Sequence, residues 1–135
     1  MDENKTVHLA DDDEDDRMLM KEALEEANPG VNVVESEDGM ELIDNIKGTD
    51  DLADTIVVLD MNMPKMNGIE TILAMKADPE LAEIPTVMLS TSDNPELAIK
   101  AKEAGADEFL TKPNNFRALI DIAKKIFNRF FLKQF

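Results

Sequence analysis

Cysteine is absent from the 135 residues, which rules out disulfide frameworks, thiolate nucleophiles and zinc-thiolate sites and is compatible with a reducing compartment. Basic residues are scarce. Fourteen Lys and Arg stand against 30 Asp and Glu, and a net charge of −16 repels nucleic-acid phosphates instead of holding them. Long apolar runs are missing as well, so no segment approaches a membrane span, and the acidic opening Met1-Asp2-Glu3-Asn4-Lys5-Thr6 lacks the apolar stretch of a secretion signal. These absences lead us to expect a cytoplasmic protein with neither a nucleic-acid nor a membrane partner, whose ligands are a cation or other proteins. What is present suits a folded domain: 43% hydrophobic and 33% charged residues, and enough length for one domain, 1–135, with helices on both sides of a single core.

The most informative stretch runs from Val57 to Gly68. Ile56 to Leu59 is an uninterrupted apolar run rich in β-branched residues, the pattern of a parallel strand buried on both faces. It ends in Asp60. Pro64 stops the strand and Asn67-Gly68 supplies turn chemistry before a helical pattern begins at Ile69. Asp60 is therefore expected at the carboxyl end of a central strand, facing the crevice where open α/β sheets bind ligands.

Strand-like and helix-like segments alternate along the whole chain. Strands are expected at about Thr6 to Ala10, Val31 to Glu35, Ile56 to Leu59, Thr86 to Ser90 and Asp107 to Leu110. Helical patterns follow each: Met20, Ala23, Leu24 and Ala27 in the first, Met40, Ile43 and Ile46 in the second, then about Asn67 to Ala77, Pro95 to Ala104, and a last helix from near Asn114 carrying Phe116, Leu119, Ile120, Ala123, Ile126 and Phe127. Five βα units imply an α/β fold, a five-stranded parallel sheet doubly wound through right-handed crossovers.

The strand ends then send polar groups to one rim. The first gives Asp11 and Asp12, the third Asp60, the fourth Ser90, Thr91 and Ser92, the fifth Thr111 and Lys112. Two ionised carboxylates about 5 Å apart repel by roughly 3 kcal/mol at an effective dielectric near 20. A hard divalent cation relieves that, and Mg²⁺, with Mn²⁺ as a substitute, suits a site of few protein oxygens that also takes phosphate oxygens. Asp11, Asp12, Asp60 and the backbone carbonyl of Asn62 are its expected ligands. With the charge on the equatorial oxygens neutralised, Asp60 can accept a phosphoryl group in line, helped by the Lys112 ammonium and the Ser90 hydroxyl. Lys112-Pro113 directly after a strand suggests a cis bond that aims the lysine. Glu14, Asp15 and Asp16 read as acids suited to the positive end of a helix, and His8 as a structural residue within a strand.

Taken together, Asp11-Asp12 after a strand, Asp60 before Met-Asn-Met-Pro, Asn67-Gly68, Ser90-Thr91, and Gly105-Ala-Asp-Glu-Phe-Leu-Thr-Lys-Pro113 closely resemble the receiver domain of two-component response regulators, over about Lys5 to Phe130. The resemblance implies a flavodoxin-like three-layer sandwich of strand order 2-1-3-4-5. It implies Mg²⁺-dependent phosphoryl transfer to Asp60 from a sensor histidine kinase or phosphotransfer protein, followed by hydrolysis. The positions of Asn62 and Ser92 match those that influence that hydrolysis. The expected role is a stand-alone phosphorylation switch that binds a downstream protein target, not an enzyme acting on other substrates. Ser90 and Phe109 take the switch positions. Phe109 stands where the family often has tyrosine, so a hydrogen-bonded version of the switch is excluded.

A phosphatase with a strand-end Asp nucleophile needs an acid where Asn62 stands, and a calcium loop from Asp60 puts Thr71 where a bidentate Glu is required. Five of the six phenylalanines lie from Phe116 onward. The same stretch holds five basic residues against one acid, net +4, leaving −20 for the rest. With a core of about 5–128 and an aromatic, basic extension at 129–135, we expect Phe130, Phe131 and Phe135 to contribute to a homodimer or partner surface with the last helix.

Overall fold

The computed structural model describes residues 5–131, so Phe135 of the expected tail surface lies outside the described residues. Five strands, β1 (Thr6–Ala10), β2 (Asn32–Ser36), β3 (Thr55–Asp60), β4 (Thr86–Ser90) and β5 (Glu108–Thr111), alternate with α1 (Glu14–Ala27), α2 (Gly39–Lys47), α3 (Gly68–Lys76), α4 (Pro95–Ala104) and α5 (Phe116–Phe130). All pairings are parallel and the order is β2-β1-β3-β4-β5, as the resemblance implied. β3 is central and buried along its whole length, which is why its sequence is continuously apolar up to Asp60.

The strands' two faces fill two cores. Val57 and Leu59 pack with Leu42 and Ile46 of α2, Ile72 and Met75 of α3, and Ala101 of α4. Ile56 and Val58 face the other way onto Met20 and Leu24 of α1 and Ala123, Ile126 and Phe127 of α5. No helix among the described residues is long and apolar enough to cross a membrane.

Each helix starts just beyond a strand's carboxyl end and is capped by a short polar side chain there: Asp13, Asp38, Asn67, Asn94 and Asn115. Caps account for several of the boundary differences from the sequence reading. The last helix begins at Phe116 instead of near Asn114 because Asn115 accepts from the Ala118 amide. The fifth strand begins one residue later than expected because Asp107 accepts from the Thr86 amide and so serves as a side-chain cap to β4. The second strand is likewise shifted by one residue, to Asn32–Ser36.

The end of α5 corrects the sequence reading more substantially. Phe131 is buried, with its ring stacked on that of Phe127 at 5.5 Å between centroids and the Lys5 ammonium 5.4 Å over its face. Phe130 is half-buried against the same core under the Arg129 guanidinium. The core therefore reaches Phe131, and that ring is not available to an intermolecular surface: three residues beyond the expected boundary bring it one turn past Phe127, on the same face of the helix.

Candidate functional site

Asp11 and Asp60 follow the first and third strands to the same rim and are both nearly buried, at 4% and 8% exposure, while Asp12 faces solvent. One carboxylate oxygen from each lies within 4.8 Å of the other two. The two segments are neighbours because β1 pairs with β3, and Ala10 lies beside Leu59. Asp11 is fixed on three sides. Its amide donates to the Ser36 carbonyl, its Oδ1 accepts from the Asp13 amide at 3.0 Å, and its carbonyl accepts from the Arg17 guanidinium at 2.7 Å.

Lys112 enters from the end of β5, and its ammonium stands 2.9 Å from Asp11 Oδ2 and 3.1 Å from Asp60 Oδ1. The Lys112-Pro113 bond, for which the sequence suggested cis without deciding it, is trans. The lysine is aimed instead by the sheet: its amide donates to the Ser90 carbonyl at 2.7 Å, which continues the β4-β5 ladder one residue past the strand. Ser90 is buried at the end of β4, and its hydroxyl accepts from the Ser92 amide at 3.1 Å. Ser92 is half-buried and turns its own hydroxyl to the Asn94 amide. Asn62 is exposed on the loop after Asp60, and Phe109 is partly buried against the α2-α3-α4 core.

The electrostatics follow from this crowding. Burial pushes the Asp60 carboxyl above its ordinary value; Lys112 opposes that shift, and the charges of Asp11 and Asp12 reinforce it. Burial also works against the Lys112 ammonium, but its hydrogen bond to Asp11 and the charges of Asp11 and Asp60 outweigh it and hold the pKa above the usual lysine value. One lysine cannot neutralise three carboxylates. The donor set is all oxygen, partly buried and still in excess of negative charge, and such a set fits a hard divalent cation.

Gly68 explains why the loop can close so tightly behind Asp60. A Cβ there would sit 2.9 Å from the Asp60 carbonyl oxygen and 2.9 Å from Met61 Cα. The Asn67 cap and its reciprocal Glu70 bond then start α3 at that point. A cleft of about 680 Å³ opens beside the carboxylates between α1 and α5, with Leu19, Met20, Pro113, Phe116 and Leu119 among its lining residues.

The structure thus brings together Asp11, Asp12, Asp60 and Lys112, with Ser90 at the neighbouring strand end. It adds one residue that the sequence reading had assigned only to helix electrostatics: Asp16 Oδ2 lies 3.5 Å from the Lys112 ammonium. The available signal was its place in the first turn of the helix that follows the Asp11-Asp12 strand end. His8 is fully buried in the sheet, as its structural reading required, with no hydrogen-bond partner for either ring nitrogen.

Comparison with known proteins agrees with this geometry. The chain matches the family described as response regulator receiver domain over residues 7–124. It is 30% identical over 129 residues to the chemotaxis protein CheY-3 of Vibrio cholerae, covering 96% of both chains. Among solved structures it superposes on the phosphorylated cyanobacterial phytochrome response regulator RcpA with a TM-score of 0.82, 30% identity and 96% coverage of both chains. The Mn²⁺-bound form of response regulator Rcp1 superposes with a TM-score of 0.79 and 25% identity, over 96% of this chain and 97% of that one. The chain spans about half the length (49%) of the transcriptional regulators that are 35% identical to it over 123 residues.

Proposed function

The chain belongs to the response regulator receiver domain family, and from that premise we propose that Asp60 is a phosphoacceptor, phosphorylated by a sensor histidine kinase or phosphotransfer protein in the cytoplasm, and that the phosphorylated form binds a downstream protein. The observation that carries this is the convergence of three carboxylates within 4.8 Å on a lysine 3.1 Å from Asp60. The phosphorylated and Mn²⁺-bound relatives support the same reading.

Asp11, Asp12, Asp60 and the Asn62 carbonyl would hold Mg²⁺, which supplies neutralisation of the charge that develops on the transferring phosphoryl oxygens. An Asp60 oxygen attacks phosphorus, and the leaving group departs with its bonding electron pair. Lys112 donates to the phosphoryl oxygens and, being charged and partly buried, is already oriented when they arrive. The Ser90 hydroxyl leaves the Ser92 amide and donates to a phosphoryl oxygen. That movement frees the β4-α4 loop, and Phe109, half-buried on β5 beside Met88 of β4, follows by packing, without a hydrogen bond of its own. The partner-binding face we propose comprises α4, β5 and α5. A homodimer through the same helix remains compatible with it, resting on Phe130 and the basic residues instead of Phe131.

Incubation of the full chain with Mg²⁺ and acetyl phosphate is expected to add one phosphoryl group by intact mass, and Asp60→Asn is expected to add none. Labelling that survives Asp60→Asn at the wild-type level overturns the assignment.

A further inference from the structure

An ammonium carries three N–H donors and no acceptor. At Lys112 all three have a carboxylate in reach: Asp11 Oδ2 at 2.9 Å, Asp60 Oδ1 at 3.1 Å and Asp16 Oδ2 at 3.5 Å. The three contacts are not equivalent. The Asp11 and Asp60 side chains are 6% and 10% exposed, and taking the lysine from either leaves a buried charge without its partner. The Asp16 side chain is 50% exposed, its contact is the longest, and water can take the place of the lysine at little cost. Any phosphoryl oxygen that needs a donor from Lys112 therefore takes the one held by Asp16. Asp16 also lines the cleft beside Asp60.

Resting on the reading of Asp60 as phosphoacceptor, we propose that Asp16 is a specificity-determining residue: it occupies the third donor of Lys112 and so disfavours transfer from small anionic phosphoryl donors, which bring nothing to pair with the carboxylate they displace. In the reaction with acetyl phosphate, an O–P bond forms to Asp60 as the P–O bond to the acetyl group breaks. The electron pair leaves on acetate and no proton moves. The phosphoryl oxygens must hydrogen-bond Lys112 throughout, in competition with Asp16. A protein donor that sets a cation against Asp16 releases the lysine as it docks.

Glu14 and Asp15 share the first turn of α1 with Asp16. Among the described residues Lys112 pairs with Asp11, Asp16 and Asp60 and with neither of those two. That gives a matched control. With the full chain, saturating Mg²⁺ and acetyl phosphate, Asp16→Asn is expected to acquire the phosphoryl group about two- to five-fold faster than wild type, the range an exposed ion pair spans. Asp15→Asn, which removes the same charge from the same turn, is expected to stay near the wild-type rate, and Asp16→Glu to return toward it. The gain should shrink at high salt, because the pair that Asp16 makes with Lys112 is exposed and salt screens it. An Asp16→Asn rate no higher than wild type, or an equal gain in Asp15→Asn, overturns the proposal. If wild type takes no label at Asp60 from any donor, the phosphoacceptor reading fails and the role of Asp16 falls with it. If wild type labels and Asp16→Asn is no faster, the role of Asp16 alone falls.

Discussion

The two ends of the same five strands are built on opposite principles. At the amino ends, Phe131 stacks on Phe127, and Lys5 covers the ring while pairing with Asp54 at 3.4 Å, so charge and apolar surface are both satisfied. At the carboxyl ends, three carboxylates crowd within 4.8 Å around a single lysine. α5 spans both environments: Phe116 is 39% exposed beside the cleft, while Phe127 is 5% exposed at the far end. The contrast separates two duties. One end holds the fold, and the other accepts local instability so that a cation and a phosphoryl group have something to relieve.

Breaking the amino end should cost the most. Phe127→Ala removes a buried aromatic ring and the support of Phe131, with an expected loss of about 3–5 kcal/mol in denaturant unfolding. Molecules that remain folded should still take the phosphoryl group at Asp60. A smaller effect of opposite sign is expected at the carboxyl end. In chelator, Asp60→Asn should be more stable than wild type by about 1–2 kcal/mol, because it removes one like charge from a partly buried cluster. The sign agrees with the raised Asp60 pKa: the stability that the protonated acid contributes is present below the ordinary carboxylate range and is lost as pH rises through the folded-state value, and Asn stands in for the protonated form. Mg²⁺ should narrow the gap by stabilising wild type alone. A thermal scan in which Asp60→Asn is the less stable protein would erase the distinction between the ends.

The smallest effect sharpens the comparison midway along β1. His8 is fully buried between Val34 and Val57, and burial lowers its pKa below 6.5. The unfolded chain then binds the proton more readily, so stability is complete above 6.5 and declines as pH falls below it. The expected change is under about 1 kcal/mol between pH 7 and pH 6, and His8→Leu should flatten it in paired denaturation curves.

Much of this was legible along the chain because it depends on local spacing. A continuous apolar strand ending in Asp60, alternating strand and helix periodicities, and Pro or Gly between periodic segments specify parallel βα units. Parallel strands in turn send all their following residues to one rim. That is why Asp11, Asp12, Asp60, Ser90 and Lys112 could be placed on one rim from spacing and type, although 101 residues separate Lys112 from Asp11.

Local pattern did not extend to side-chain reach across that rim. Asp16 suits a helix start whether or not it touches Lys112, and only the placement of α1 against the β5-α5 turn brings them to 3.5 Å. Phe131 looks like a tail residue until α5 is docked and its last turn is seen to lie on Phe127. The Lys112-Pro113 bond is trans, and the ladder past β5 aims the lysine. The residue order determined which segments form strands and helices and which chemistry each loop carries, since those depend on neighbours a few positions away. The assembled sheet alone decided which of several equivalent acids shares the lysine and which phenylalanines are buried, because those depend on distances between segments far apart in the chain.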